Sequence, residues 1–322
     1  MNFILWNMID KSNNMQFIGR NSMVNNIWSE NIQGILNLDL SREIRFRDDR
    51  KDLFLDILGL KKGMTVADVG CGPGAITRKL SSWLGNETKI IGIDRDTTFI
   101  NYAKEKARKQ DMYNISYLEG DALKLPLEDN LVDACISHTV IEHIPNKEFL
   151  LEQKRVCKSK GRVSVMYARP DKYIKTEPKL LPKQSEREME LLDKLFKGID
   201  EIHKKYNVGK YWPDSVELPR LFNELDFKDI QIDAIAIPIA IDDSRNNYDE
   251  KLAIIAAEKK QLLEVIDIVL QQNKNQLLNK EEKELKQLIV ERFNARVKLL
   301  EEEKYIWDYT IELLQIVSGM VV

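Results

Sequence analysis

Between about residue 61 and residue 170 the chain alternates short apolar runs with stretches of helical spacing. The runs at 65–69, 89–93, 115–119, 132–137 and 162–167 end near Gly, Asp or Ser and are almost unbroken, as strands buried on both faces must be. Helical patterns at 75–84, 97–110 and 147–157 separate them, and a helix at 215–225 precedes a further strand at 227–237. A parallel α/β domain is the economical reading of this order.

The flanks follow a different rhythm. Trp28, Ile32, Ile35 and Leu36 share one helical face, interrupted by Gly34. From Leu40, the spacing of Ile44, Leu53, Ile57 and Leu58 predicts a charged amphipathic helix, capped by Ser41 and ending before Gly59. Residues 171–212 are polar, are punctuated by Pro178, Pro182 and Pro213, and follow a strand's carboxyl end, where ligand-covering insertions belong; they read as a cap. Two long amphipathic helices are expected within 248–304, on Leu252, Ile255, Leu262, Ile266 and Val269 and then Leu285, Leu288, Ile289, Phe293, Val297 and Leu300. Asn279 with Glu282 reads as a capping box that folds the second helix back on the first. TIELLQIVSGMVV supplies a last strand. The resulting division is an arm or lid at 1–60, a core at 61–170, a cap at 171–212, core again at 213–242, a helical hairpin at 243–305 and a final strand at 306–322.

The chemistry concentrates in VADVGCGPGAITRKL, residues 66–80, where a buried strand enters a glycine-rich turn and then a helix. Gly70, Gly72 and Gly74 permit a tight turn and bring a ligand close to the main chain. Their GxGxG spacing differs from the GxGxxG of dinucleotide sites. Asp68, inside the strand, suits an amino group better than a pyrophosphate. Asp94 ends the second strand, where a carboxylate can accept from both ribose hydroxyls.

These residues resemble the class I S-adenosylmethionine-dependent methyltransferases over about residues 63–167. VADVGCGPG is similar to the first motif of that family and GIDRD to its ribose-binding strand end. YLEGDALKLPLEDNLVDACISHTVIEHI resembles its adenine-binding stretch and fourth strand. RVCKSKGRVSV resembles the next helix-turn-strand, with Ser159, Lys160 and Gly161 where Pro-Gly is usual. The resemblance implies a Rossmann-like, doubly wound, seven-stranded sheet with an antiparallel last strand. It implies S-adenosylmethionine as methyl donor and S-adenosylhomocysteine as product. Asp68, Gly70, Cys71, Gly72 and Gly74 would hold the methionine portion, Asp94 the ribose, and Asp121 with Ala122 the adenine, flanked by Arg95 or Ile93. Ser137, His138 and Thr139 would stand at the mouth where the acceptor meets the sulfonium.

Methyl transfer is an in-line displacement with a neutral leaving group, so alignment dominates and a base enters only when the acceptor must lose a proton. His138 is the candidate base, Tyr167 a second acceptor-side candidate, and Tyr211 and Trp212 candidate acceptor contacts through their aromatic faces. Glu142 and His143 resemble a Glu-His pair common in the family, with a structural or cofactor-side role. Arg42, Arg45 and Arg47 read as a solvated helix face, and Lys172, Lys175, Lys179 and Lys183 as a solvated loop.

Composition narrows the class further. With 49 Lys+Arg against 52 Asp+Glu and a formal charge of −3, the 322-residue chain has no general basic field, which weighs against nucleic acid as the partner. Cys71, Cys135 and Cys157 form no CxxC, and the three histidines no HExxH, so neither disulfides nor a metal are expected. No run reaches the roughly 18 apolar residues of a spanning helix. A cytoplasmic enzyme acting on a small-molecule acceptor is expected. The rivals are an RNA or protein methyltransferase docking through the hairpin, and a non-catalytic S-adenosylmethionine-binding module. The hairpin's apolar stripe fits a homodimer and burial within the chain equally well.

Overall fold

The computed structural model describes residues 28–175, 182–197, 199–273 and 276–322. In chain order its helices are α1 (Trp28–Asn31), α2 (Ile35–Arg45), α3 (Lys51–Ile57), α4 (Ala75–Leu84), α5 (Thr97–Lys109), α6 (Asn146–Val156), α7 (Glu186–Phe196), α8 (Ile199–Lys205), α9 (Glu217–Glu224), α10 (Tyr248–Gln272) and α11 (Asn279–Glu301). Its strands are β1 (Thr65–Val69), β2 (Lys89–Asp94), β3 (Ile115–Glu119), β4 (Val132–His138), β5 (Cys157–Ala168), β6 (Ile174–Lys175), β7 (Lys228–Ala240) and β8 (Tyr309–Met320). No described helix is long and apolar enough to cross a membrane.

Two compact units share the chain. One comprises Leu38–Arg169, Asn207–Ile237 and Leu313–Val322. Its sheet runs β3-β2-β1-β4-β5-β8, parallel from β3 to β5 and antiparallel at β5–β8, with β7 also paired to β8. The central strands β1 and β4 are buried almost throughout, as their unbroken apolar runs require, whereas β3 at the edge buries only Tyr117 fully. Register aligns Val69 with both Ile93 and Ser137, and Ser137 with Val165, so four strands end side by side. Phe149, Leu150, Leu218, Phe222 and Val317 pack with the strands in one core.

The other unit comprises the described residues up to Asn37 with those of Pro170–Tyr206 and Pro238–Glu312. Here α10 and α11 form the expected hairpin, and α7 lies on it through Leu191, Leu195, Leu262, Ile266, Leu285, Ile289 and Phe293. Ion pairs reinforce that packing: Arg292 grips the buried Glu188 at 2.9–3.0 Å, and Arg187 grips Glu284 at 2.9–3.0 Å. Glu264 of α10 accepts the N–H groups of Leu36 and Asn37 at 3.2 and 2.8 Å, satisfying orphan donors at the start of α2. Gly34 leaves room for that carboxylate, into which any Cβ would run.

Several expectations are corrected. The sheet has eight strands rather than seven, because β6 adds two residues alongside Thr310 and Ile311. The single helix expected from Leu40 to Gly59 is two, α2 and α3, broken where Phe46 turns inward onto Phe54 (centroids 4.7 Å apart). Ser41 is therefore interior to α2, its Oγ donating back to Leu38 O at 3.2 Å. The Asn279 capping box is displaced: Leu278 precedes α11, and its N–H donates to Glu281 at 2.8 Å. A full box stands instead at Asn247 and Glu250 on α10. The strand expected at 162 begins at Cys157, with Lys160 in left-handed backbone and a register shift opposite Val132–Ala134, so the unusual Ser-Lys-Gly is absorbed as a bulge. Of the described residues read as arm, 28–37 belong to the hairpin's unit and 38–60 to the sheet-bearing unit; of those read as cap, the described ones up to Tyr206 belong to the hairpin's unit and 207–212 to the sheet-bearing unit. Residues 1–27 and 176–181, the latter including Lys179, lie outside the described residues.

Candidate active site

The glycine turn follows β1 with Gly70, Gly72 and Gly74 at φ of 74°, 53° and 79°, a region closed to most side chains. Its N–H groups are all engaged internally. Gly70 and Cys71 donate to Ile93 O at 2.7 and 3.0 Å, Gly72 to Asp94 Oδ2 at 2.8 Å, and Gly74 to Cys71 O at 3.0 Å; Pro73 has none. This differs from the open amides that the glycines alone suggested, and it matters chemically, because a pyrophosphate needs free donors. What the turn presents instead is two carboxylates. Asp68 is buried, accepts from Thr77 Oγ1 at 2.6 Å, and is pushed up to about 7 by burial, with Asp94 adding to the effect and Thr77 opposing it. Asp94 is also raised by burial, against the pull of the Asp96 and Gly72 amides.

The adjacent strand ends carry the next group. Gly120 N–H donates to Asp94 O at 3.0 Å, which ties the β3 exit to the β2 exit. Asp121 is exposed there with Oδ1 accepting from Leu123 N–H at 2.9 Å; Ala122 is half-buried, and Arg95 is exposed beside Asp94. The structure thus brings together Asp68, the glycines, Asp94 and Asp121 at one edge of the sheet.

At the end of β4 the arrangement was not foreseen. Arg42 and Arg45, read as solvated, turn inward from α2. Arg42 donates to Thr139 Oγ1 at 2.9 Å, and Arg45, 2% exposed, lies 3.2 Å from His138 Nε2. A guanidinium can only donate, so Nε2 must accept and Nδ1 carries the proton, with Thr139 Oγ1 3.4 Å from it. The ring also stands edge-on to Phe46 at 5.2 Å. Burial first, then the charges of Arg42 and Arg45, hold His138 well below the usual imidazole range. With its lone pair already accepting from Arg45, His138 is a poorer proton acceptor than a free imidazole, and the geometry lends the base role expected of it no support. Thr139 sits at φ 53°, a strained position for a β-branched residue.

Ser137 and Tyr167 lie on one face of the sheet by register; the Ser137 hydroxyl is buried without a hydrogen-bond partner, and that of Tyr167 is buried under the influence of Arg169. Tyr167 is wholly enclosed in the core, and burial pushes its hydroxyl up to about 12. Glu142, 2% exposed, has an unpartnered Oε2 and is pushed up to about 7 by burial, with Arg42 and Arg45 pulling the other way. The half-buried Tyr211 and Trp212 arrive on a loop fastened to this turn. Tyr211 N–H donates to Glu142 O at 3.0 Å, Gly209 N–H to His143 Nδ1 at 3.0 Å, and Asn146 Nδ2 to Tyr211 O at 3.1 Å.

Sequence reasoning also missed Asp39 and Arg78. Arg78 on α4 donates to Pro73 O of the glycine turn at 2.7 Å and pairs with the buried Asp39 of α2, which also accepts from Lys106 and, at 3.0 Å, from Tyr102. Local spacing carries no trace of a pair 39 positions apart. Glu142 did leave a signal, a carboxylate set in the apolar run VIEHI. Lys172, Lys175 and Lys183 are exposed, as expected.

Comparison with known proteins agrees with this architecture. The family described as a methyltransferase domain matches residues 60–304. The chain belongs to that family, as a class I S-adenosylmethionine-dependent methyltransferase. It is 30% identical to demethylmenaquinone methyltransferase of Staphylococcus aureus over 198 residues, covering 57% of this chain and 75% of that protein. The enzyme of the same name from Staphylococcus saprophyticus is 30% identical over 179 residues, covering 54% and 75%. Phosphoethanolamine N-methyltransferase 2 of Haemonchus contortus, solved with S-adenosyl-L-methionine, shares the fold with a TM-score of 0.52 at 17% identity. That likeness covers 93% of this chain, which spans 60% of the solved one.

Proposed function

We propose that this chain transfers the methyl group of S-adenosylmethionine to a small-molecule acceptor in the cytoplasm. The observation that carries the reading is a glycine turn with every N–H spent, set beside the buried carboxylate of Asp68 and the half-buried one of Asp94. Such a turn favours a cationic ligand, here an α-ammonium near a sulfonium, over a dinucleotide. In this reading Asp68 and the turn Gly70, Cys71, Gly72 and Gly74 take the methionine portion. Asp94 takes the ribose, Asp121, Ala122 and Arg95 the adenine, and Ser137 offers its unpartnered hydroxyl toward the donor. Thr139, Tyr211 and Trp212 shape the acceptor side, and His138 is a positioning residue that holds Arg45. The relatives named for demethylmenaquinone and phosphoethanolamine support a small acceptor.

Calorimetric titration tests the cofactor. S-adenosylmethionine and S-adenosylhomocysteine are expected to saturate the protein and NAD to give no heat; NAD binding, or no binding by the first two, refutes the reading. Asp94→Ala removes charge-assisted hydrogen bonds worth about 1.5–3 kcal/mol, so affinity for S-adenosylmethionine should fall about tenfold to a hundredfold. His138→Ala is expected to leave the pH profile of kcat unchanged. Thermal unfolding should register a loss of about 1–3 kcal/mol, since Arg45 then lies buried without that acceptor.

A further inference from the structure

Buried polar groups at the carboxyl ends of β4 and β5 include Ser137 Oγ and Glu142 Oε2, which have no partner, and the Tyr167 hydroxyl, on which Arg169 acts. Ser137 and Tyr167 stand on one face of the sheet by register, and Glu142 bears on the Tyr167 hydroxyl electrostatically, so the three share one neighbourhood. Each withheld hydrogen bond costs about 1–3 kcal/mol, a cost that persists most readily where a ligand makes the bond. Of the three, only Glu142 can both accept and hold a proton near neutral pH, because a buried serine or tyrosine hydroxyl does not ionise there. His138 already engages its lone pair with Arg45.

The charges around Glu142 indicate what it meets. Arg42 and Arg45 face it from α2; His138, neutral, is on β4; Tyr167 is on β5, itself influenced by Arg169 and Asp214. Two guanidinium groups disfavour a cationic ammonium and favour oxygen on which negative charge develops. Resting on the methyl-transfer reading above, we propose that Glu142 is the general base of the reaction and that the acceptor is a hydroxyl acid of the phenol or enol class. The acceptor's O–H bond breaks, with its proton passing to Glu142 Oε2. The electron pair so released forms the new bond to the methyl carbon, from the oxygen or from a carbon conjugated with it. The carbon–sulfur bond breaks with its pair left on sulfur, which changes from sulfonium to neutral thioether.

The test uses the full chain, 1-naphthol and benzylamine as paired acceptors, and Glu142→Gln and Glu142→Asp. Naphthol is expected to be methylated and benzylamine not. Glu142→Gln should lose kcat at least a hundredfold while binding S-adenosylmethionine within twofold of wild type, and Glu142→Asp should recover part of the rate. Because the base acts only when ionised, wild-type kcat should rise as pH passes through about 7 and flatten above it, and the residual rate of Glu142→Gln should lack that limb. Infrared difference spectra offer a readout free of turnover: a protonated-carboxyl C=O band present at pH 6, lost by pH 9, and absent from Glu142→Gln. Full activity of Glu142→Gln, acceptance of the amine instead of naphthol, methylation of neither, or absence of the band overturns the proposal. Loss of S-adenosylmethionine binding by the wild type would instead overturn the cofactor reading.

Discussion

Gly74→Val is expected to abolish S-adenosylmethionine binding and to destabilise the sheet-bearing unit by about 2–5 kcal/mol, from left-handed backbone strain of about 1–2 kcal/mol plus overpacking of about 1–3 kcal/mol. Gly74 has a φ of 79° and stands immediately before α4. A Cβ there would lie 2.5 Å from the Tyr117 hydroxyl and 2.9 Å from Ala103 Cβ, both on buried residues. The backbone and the space thus oppose any side chain at once. Gly85→Ala is the informative control, since Gly85 has a φ of 78° but no neighbour within 4 Å of its Cβ position. It should lose only a backbone part, about 1–3 kcal/mol for its positive-φ, extended-ψ conformation (ψ 175°), and keep full affinity. Denaturant unfolding and calorimetry on the two variants separate strain from crowding; equal losses would mean that the close approach at Gly74 carries no weight.

Asp39→Ala should cost about 3–5 kcal/mol, because it leaves the buried Arg78 only the longer, 3.5 Å pairing with the part-exposed Glu43. For a unit of this size that corresponds to a fall in Tm of roughly 10 °C. Affinity for S-adenosylmethionine should fall with it, since Arg78 also braces the glycine turn through Pro73 O. Glu43, on the same helix and bonded to the same Lys106 at 2.9 Å, is 38% exposed. Its ion pairs with Lys106 and Arg78 are solvent-screened on the Glu43 side, and Glu43→Ala should cost under about 1 kcal/mol. Comparable Tm shifts for the two variants would show that burial does not set the strength of this network.

The sheet was legible in the sequence because a strand covered on both faces must be apolar at nearly every position. VADV and VDACIS satisfy that condition, and both became buried central strands. The glycine turn was legible because three alternate glycines have few other uses, and all three adopt positive φ. Helix boundaries were less so. The break at Phe46 reflects an aromatic contact with Phe54, not local propensity, and the bulge after Cys157 reflects pairing with the chain's end, where Lys160 N–H meets Val321 O at 2.8 Å.

The sequence by itself therefore determined the order of strands and helices, the residues of the glycine turn and the two acidic strand ends, since each follows from local pattern or backbone freedom. Tertiary structure decided what those residues face. Arg42 and Arg45 look like an ordinary charged helix until α2 turns them toward Thr139 and His138. His138 looks like a base until a guanidinium occupies its lone pair, and Glu142 like a structural partner until burial leaves one oxygen without a bond. Protonation and desolvation depend on neighbours distant in the chain, and periodicity and spacing carry no information about those neighbours.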